Sequence, residues 1–124
     1  MIDFAKQGYP NEVCGILGGT AAESAAVAQF FPMRNMDESS ISYFMDPKEQ
    51  LKVFKEMRLK NMEMRGIFHS HVASEAYPSQ KDVRLAFYPD VSYLIVSLLD
   101  MKKPDLRSFK INNEIVTEEK VIVE

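Results

Sequence analysis

At 124 residues the chain is long enough for one domain with a real core and too short for two. It is 46% hydrophobic and 27% charged, ordinary for a soluble globular protein, and its net charge of −3 carries no basic cluster. Nucleic acid is therefore not an expected partner. No apolar run approaches a bilayer-spanning length and no signal peptide is visible, so no membrane contact is expected. The one cysteine, Cys14, excludes an internal disulfide and fits a reducing, cytoplasmic setting.

The elements read as follows in chain order. Residues 2–9 suit a short helix with Ile2, Ala5 and Tyr9 on one face, closed by Gly8-Tyr9-Pro10. Residues 16–19 enter a strand and a glycine turn, and 25–31 read as a second strand. A mostly polar loop follows over 32–40, then a short strand over 41–45. Asp46-Pro47-Lys48-Glu49 starts a helix: Asp46 caps, Pro47 takes the first helical position and Glu49 completes a capping box. That helix is predicted to run to about Met64, with Leu51, Phe54 and Met62 on one side, Met57 at the edge of the stripe, and Gly66 as its stop. Arg58 falls on the same side, its stem on apolar surface and its head in water.

Residues 66–71 then form a strand that leaves the core. Residues two apart on a strand share a face, so His69 and His71, the only histidines, present two imidazoles side by side. A loop over 72–78 leads to a helix over about 80–87, broken by Pro89-Asp90. Residues 92–99 read as a buried strand. After a turn at 103–105, residues 106–111 alternate as another, Asn112-Asn113 suits a tight hairpin turn, and 114–117 and 121–123 close the chain as strands. Helices and strands mix without regular alternation. The expected class is α/β or α+β, with a mixed, mostly antiparallel sheet.

His69, His71 and, at the next helix start, Asp82 make a usual three-ligand set for a catalytic zinc, which leaves a fourth position for water. The full pattern is His-x-His, seven residues, Ser79, two residues, Asp82, with Glu12 far upstream. Together with the segment Tyr-Pro-Asn-Glu-Val-Cys-Gly-Ile-Leu-Gly-Gly around Glu12, the capped helix before His69, Pro78 ahead of Ser79 and the late run Tyr-Leu-Ile-Val-Ser, it resembles the JAMM metallopeptidase motif, or MPN-plus domain. The motif match is specific, and the likeness loosely covers the whole chain.

That resemblance implies a deaminase-like three-layer fold and a zinc-dependent peptidase or isopeptidase of the compact prokaryotic stand-alone type. By resemblance, His69, His71 and Asp82 bind Zn2+. Glu12 acts as general base and then as acid to the leaving amine, and Ser79 steadies the oxyanion. The implied substrate is the C-terminal tail or adduct of a small ubiquitin-like or sulfur-carrier protein. An extended tail is expected to pair with the strand at 41–45. Two departures stand out. Val72 follows the second histidine where the family has proline, and the family's usual strand or longer helix ahead of residues 2–10 is missing here, so either the domain is trimmed and lacks that N-terminal extension or its true start lies upstream.

Plainer readings exist for each residue. Ser79-Gln80-Lys81-Asp82 is also a helix capping box without any metal. Glu12 suits a first-turn carboxylate, and Cys14 a small buried hydrophobe. Ser70 points away from the two imidazoles and suits a hydrogen bond that holds the loop. The leading rival function is a non-catalytic MPN-like scaffold or binding module. A zinc nucleobase deaminase needs His-x-Glu and Pro-Cys-x-x-Cys, which are absent. A hydrolase built on Cys14 would need an activated thiolate.

Overall fold

The computed structural model describes residues 1–20, 27 and 29–121. Its elements are α1 (Ile2–Gly8), β1 (Cys14–Thr20), β2 (Gln29–Met33), α2 (Pro47–Leu59), β3 (Met62–His71), α3 (Gln80–Arg84), β4 (Ser92–Ser97), β5 (Asp105–Asn112) and β6 (Ile115–Glu119). The six strands form one sheet in the order β2-β1-β3-β4-β5-β6. Only β3 and β4 run parallel, because the chain between them crosses over through α3; every other pair is antiparallel.

Strand alternation sorts the core onto two faces. Val13, Leu17, Phe68, Leu94, Val96 and Leu98 pack under α1 through Ala5. On the other face, Cys14, Ile16, Phe31 and Met33 meet Met57 of α2. Beside them Tyr93, Ile95, Phe109 and Ile111 meet Val83 of α3. The result is an α+β domain of three layers, helix on sheet on helix, as expected. No helix among the described residues is long and apolar enough to cross a membrane.

Several expected boundaries move. The helix begins as predicted, with the Asp46 side chain accepting from Lys48 N at 2.9 Å and Pro47 in the first turn. It ends at Leu59 rather than Met64, because Asn61 adopts a left-handed φ of 54° and turns the chain out. Met62 and Met64 therefore belong to β3. The buried residue of α2 is Met57, with Val53 and Phe54 half-buried beside it; Leu51 and Arg58 face water. Gly66 is not a helix stop but an interior residue of β3. There Ser92 O, Leu17 and Leu94 would all lie 3.0–3.1 Å from an added Cβ, so a side chain would have to push these neighbours back where glycine does not. Pairing jumps from Leu17 with Gly66 to Gly18 with Met64, which leaves Arg65 as a bulge.

The strand expected at 41–45 does not form. One isolated bridge, Asn35 to Met45, is all the ladder it makes. Residues 32–33, read as loop, extend β2. The first helix is closed at Gly8 and leaves Tyr9 exposed, α3 stops at Arg84, and β4 stops at Ser97. The last hairpin turns on Asn113 and Glu114, both at positive φ, one residue later than expected; 115–119 then form one strand. Residues 25, 26 and 28 of the second expected strand, and 122–123 of the last, lie outside the described residues.

Phe68 is fully buried on central β3, against Phe30 and the α1 side of the core. Phe68→Ala is expected to cost about 3–5 kcal/mol in urea denaturation. A loss below about 1 kcal/mol would mean that this face is not the principal core.

Candidate metal centre

β3 carries His69 and His71 on the face opposite Phe68, at the end of the parallel β3–β4 pair. Both imidazoles are buried. Their Nε2 atoms lie 3.0 Å apart, and Asp82 Oδ2 lies 3.1 Å from each. The three form one group able to hold a metal ion.

Each donor is aimed by its own local structure. Glu75 O lies 2.9 Å from His71 Nδ1, which places the neutral ring's proton there and leaves Nε2 a lone pair for the cluster. The loop that supplies this carbonyl is tied down by Ser97, whose hydroxyl donates to Ser74 O at 2.6 Å. His69 has no comparable anchor. Its Nδ1 is buried without a hydrogen-bond partner among the described residues, and its ring lies stacked on Tyr43, centroids 4.6 Å apart and planes 25° apart.

Asp82 is aimed by the start of α3. Ser79 N donates to Asp82 Oδ2 at 2.9 Å, and Asp82 N donates to Ser79 Oγ at 3.1 Å. The capping box and the metal-type arrangement thus share one carboxylate oxygen, and the cap is what points it at the histidines. Ser79 Oγ accepts in the cap, so its hydroxyl proton remains available to a molecule in the cleft.

Glu12 precedes β1 and is buried, with its carboxylate on the same cleft as His71, Ser79 and Asp82. Its position follows from Ser70, the residue between the histidines. Ser70 Oγ accepts from Val13 N at 2.9 Å, and Ser70 N donates to Val13 O at 3.0 Å. The cleft has a volume of about 450 Å³ and an apolar rim that includes Ile41, Phe44, Leu85 and Phe87.

The electrostatics suit a bound cation. Burial opposes ionisation of Asp82, but the hydrogen bonds from His69 and His71 outweigh it and hold the carboxyl well below the usual range. Burial also lowers His69. It works against His71 too, yet the bonds to Asp82 and the Glu75 carbonyl lift that ring above its ordinary value. Two imidazole nitrogens with one carboxylate oxygen are donor types that fit zinc. Burial pushes Glu12 up to about 7, with His71 drawing it back.

Cys14 does not suit a nucleophile. It is fully buried, its sulfur faces Met33 O and Arg34 O at 3.9 and 3.8 Å, and burial pushes the thiol up to about 12.

The structure therefore gathers His71, Asp82, Ser79 and Glu12 around one cleft, with His69 behind them in contact with His71 and Asp82. The sequence singles out neither Asn35 nor the stacking of Tyr43 on His69, because Tyr43 reads there as a strand residue for tail pairing. Asn35 sits in the polar loop, where only the Asn-x-Asp spacing of a side-chain turn marks it. The expected tail pairing at 41–45 also loses an anchor: Phe44 N donates to Asn35 Oδ1 and Phe44 O accepts from Met36 N.

The fold is that of the JAB1/MPN domain proteins. A crystal structure of one from Archaeoglobus fulgidus superposes with a TM-score of 0.60 at 16% identity, covering 97% of this chain and 86% of that one, a likeness of fold alone. The solution structure of a protein from Desulfitobacterium hafniense gives 0.88 at 44% identity, covering 100% and 86%. The family of prokaryotic homologs of the JAB domain matches residues 1–112, and the chain belongs to it. The chain is 42% identical over 123 residues to the CysO-cysteine peptidase of Mycobacterium tuberculosis, 99% of this chain and 84% of that protein. It is 39% identical over 113 residues to the desampylase of Pyrococcus furiosus, 91% of this chain and 76% of that one. The resemblance read from the motif holds at the level of the family.

A buried carboxyl raised from 4.5 to about 7 binds its proton more tightly folded than unfolded. The contribution of Glu12 to the stability of the metal-free chain should then fall as pH rises from about 4.5 to 7. Glu12→Gln, which cannot ionise, is expected to be more stable than the wild type at pH 8 and similar to it near pH 4.5, in urea denaturation with a chelator present. An equal difference at both pH values would contradict the buried-carboxyl account.

Proposed function

We propose that this protein is a zinc metallopeptidase that hydrolyses a peptide or isopeptide bond at the C-terminal tail, or in an adduct, of a small ubiquitin-like or sulfur-carrier protein. The observation that carries this reading is the convergence of His69 Nε2, His71 Nε2 and Asp82 Oδ2 to 3.0–3.1 Å, in a cleft that also holds Glu12 and Ser79. The named activities of the mycobacterial and archaeal relatives support the substrate class.

His69, His71 and Asp82 hold the metal. Zinc, when bound, supplies Lewis acidity to a water and to the scissile carbonyl. Glu12, facing the same cleft, takes the proton released as the water attacks. Its burial keeps its affinity for that proton near neutrality, so it can hold the proton and then give it to the leaving amine. The Ser79 hydroxyl donates to the oxyanion that develops on the carbonyl oxygen. The apolar rim of Ile41, Phe44, Leu85 and Phe87 receives the substrate tail.

The test is cleavage, by the zinc-loaded chain, of a carrier protein bearing an amide-linked amino acid at its C-terminus, followed by mass spectrometry. A chelator is expected to stop it and thiol alkylation to leave it running. Glu12→Ala should retain zinc and lose about 10²–10⁴-fold in kcat. Ser79→Ala should lose about 10²–10³-fold. An active Glu12→Ala enzyme would remove Glu12 from the role of base. Activity that survives full removal of metal would sink the zinc reading.

A further inference from the structure

Asn35 lies outside the motif, in the loop after β2, and every hydrogen-bonding position of its side-chain amide is used. Nδ2 donates to Glu12 O and to Ser42 O, each at 3.0 Å. Oδ1 accepts from Asp37 N at 3.0 Å and from Phe44 N at 3.1 Å. An asparagine amide offers two donors and an oxygen with two lone pairs, so this one is saturated. One half-buried side chain thereby joins three pieces of backbone: its own turn at 35–37, the segment 42–44, and Glu12, two residues ahead of β1.

Two of these three pieces end at the site. The first carries Glu12, whose N–H is bound by the same loop through Ser39 O at 2.8 Å. The second carries Tyr43, between the clamped Ser42 and Phe44, and Tyr43 lies flat on His69. This contact matters because the buried Nδ1 of His69 has no hydrogen-bond partner among the described residues, while Glu75 O binds that of His71. The His69 ring is thus held by polar contacts at Nε2 alone, and a ring laid on its face adds a second restraint on its turn about χ2.

We propose that Asn35 is a positioning residue of this site, holding the Glu12 backbone and the Tyr43 segment in one frame so that the carboxylate and the His69 ring keep a fixed relation. Its effect on turnover rests on the zinc reading above. Its effect on the His69 ring does not.

Two histidines make the experiment clean. In the metal-free protein, ring-proton NMR signals are assigned with His71→Gln. Stacking on Tyr43 should shift the His69 signals upfield of those of His71. Tyr43→Phe should keep that shift and Tyr43→Leu abolish it. Asn35→Asp removes both N–H donors and sets a carboxylate against two carbonyls; it should reduce the His69 shift and leave His71 in place. After zinc loading, Asn35→Asp should lose about ten-fold in zinc affinity by chelator competition. It should also lose about 100-fold in kcat. A role confined to holding the loop together would lower the melting temperature and leave these readouts unmoved.

A folded Asn35→Asp with wild-type His69 signals and wild-type kcat would overturn the proposal. If Asn35→Asp does not fold, the Tyr43 pair decides: His69 signals and zinc affinity that are equal in Tyr43→Leu and Tyr43→Phe would overturn it. A wild type that takes up no zinc would sink the zinc reading, and the metal-free ring signals would still decide this one.

Discussion

Ser70 and Val13 exchange two hydrogen bonds, and the site depends on that exchange. Strand alternation sends the side chains of His69 and His71 to one face and that of Ser70 to the other. On that other face the Ser70 hydroxyl meets the Val13 N–H, a buried donor that needs a partner. The backbone of Ser70 returns the bond to Val13 O. β1 is thus pinned to the strand of the two imidazoles at the residue between them, and the residue before Val13 is Glu12. A carboxylate remote in sequence is carried to the histidines by a hydroxyl that never faces them. Removing that hydroxyl would leave a buried N–H unsatisfied, a defect of about 1–3 kcal/mol.

The opposing forces are unequal across the sheet. Under α1 the core is apolar and closely packed, with Phe68 flanked by Phe30 and Leu17. Toward the cleft, the same sheet buries a carboxyl pushed up to about 7 and two imidazoles that share one carboxylate oxygen. Burying such groups is unfavourable unless they are paired or hold a metal. The apolar face supplies the surplus that lets the polar face persist. The capping box at Ser79 and Asp82 adds a local device: the backbone bond that begins α3 also turns one oxygen toward the histidines.

Much of this was legible because the signals were local. Asp46 followed by Pro47 marks a helix start by side-chain chemistry and ring geometry alone. His69 and His71 share a face by the period of a strand, whatever surrounds them. Ser79 and Asp82 read as a cap and as part of a metal set, and the structure uses the same oxygen for both. The misreadings arose where tertiary context decides. Met62 fits the helical period of α2, but a left-handed Asn61 ends that helix first. Tyr43 and Phe44 look like strand residues, yet the ladder there is replaced by the Asn35 side chain, which no periodicity can reveal. Gly66 reads as a stop, although what it answers is the approach of Ser92 and Leu94 from a strand 26 residues on.

Everything proposed for the cleft rests on His69, His71 and Asp82 holding a metal ion together. Elemental analysis of the purified wild type beside His71→Ala tests it most directly. About one zinc per chain in the wild type, lost in the variant while the fold is kept, is the predicted result. A wild type that takes up no zinc even after reconstitution would contradict it, and would leave the cluster as a helix cap beside two buried histidines.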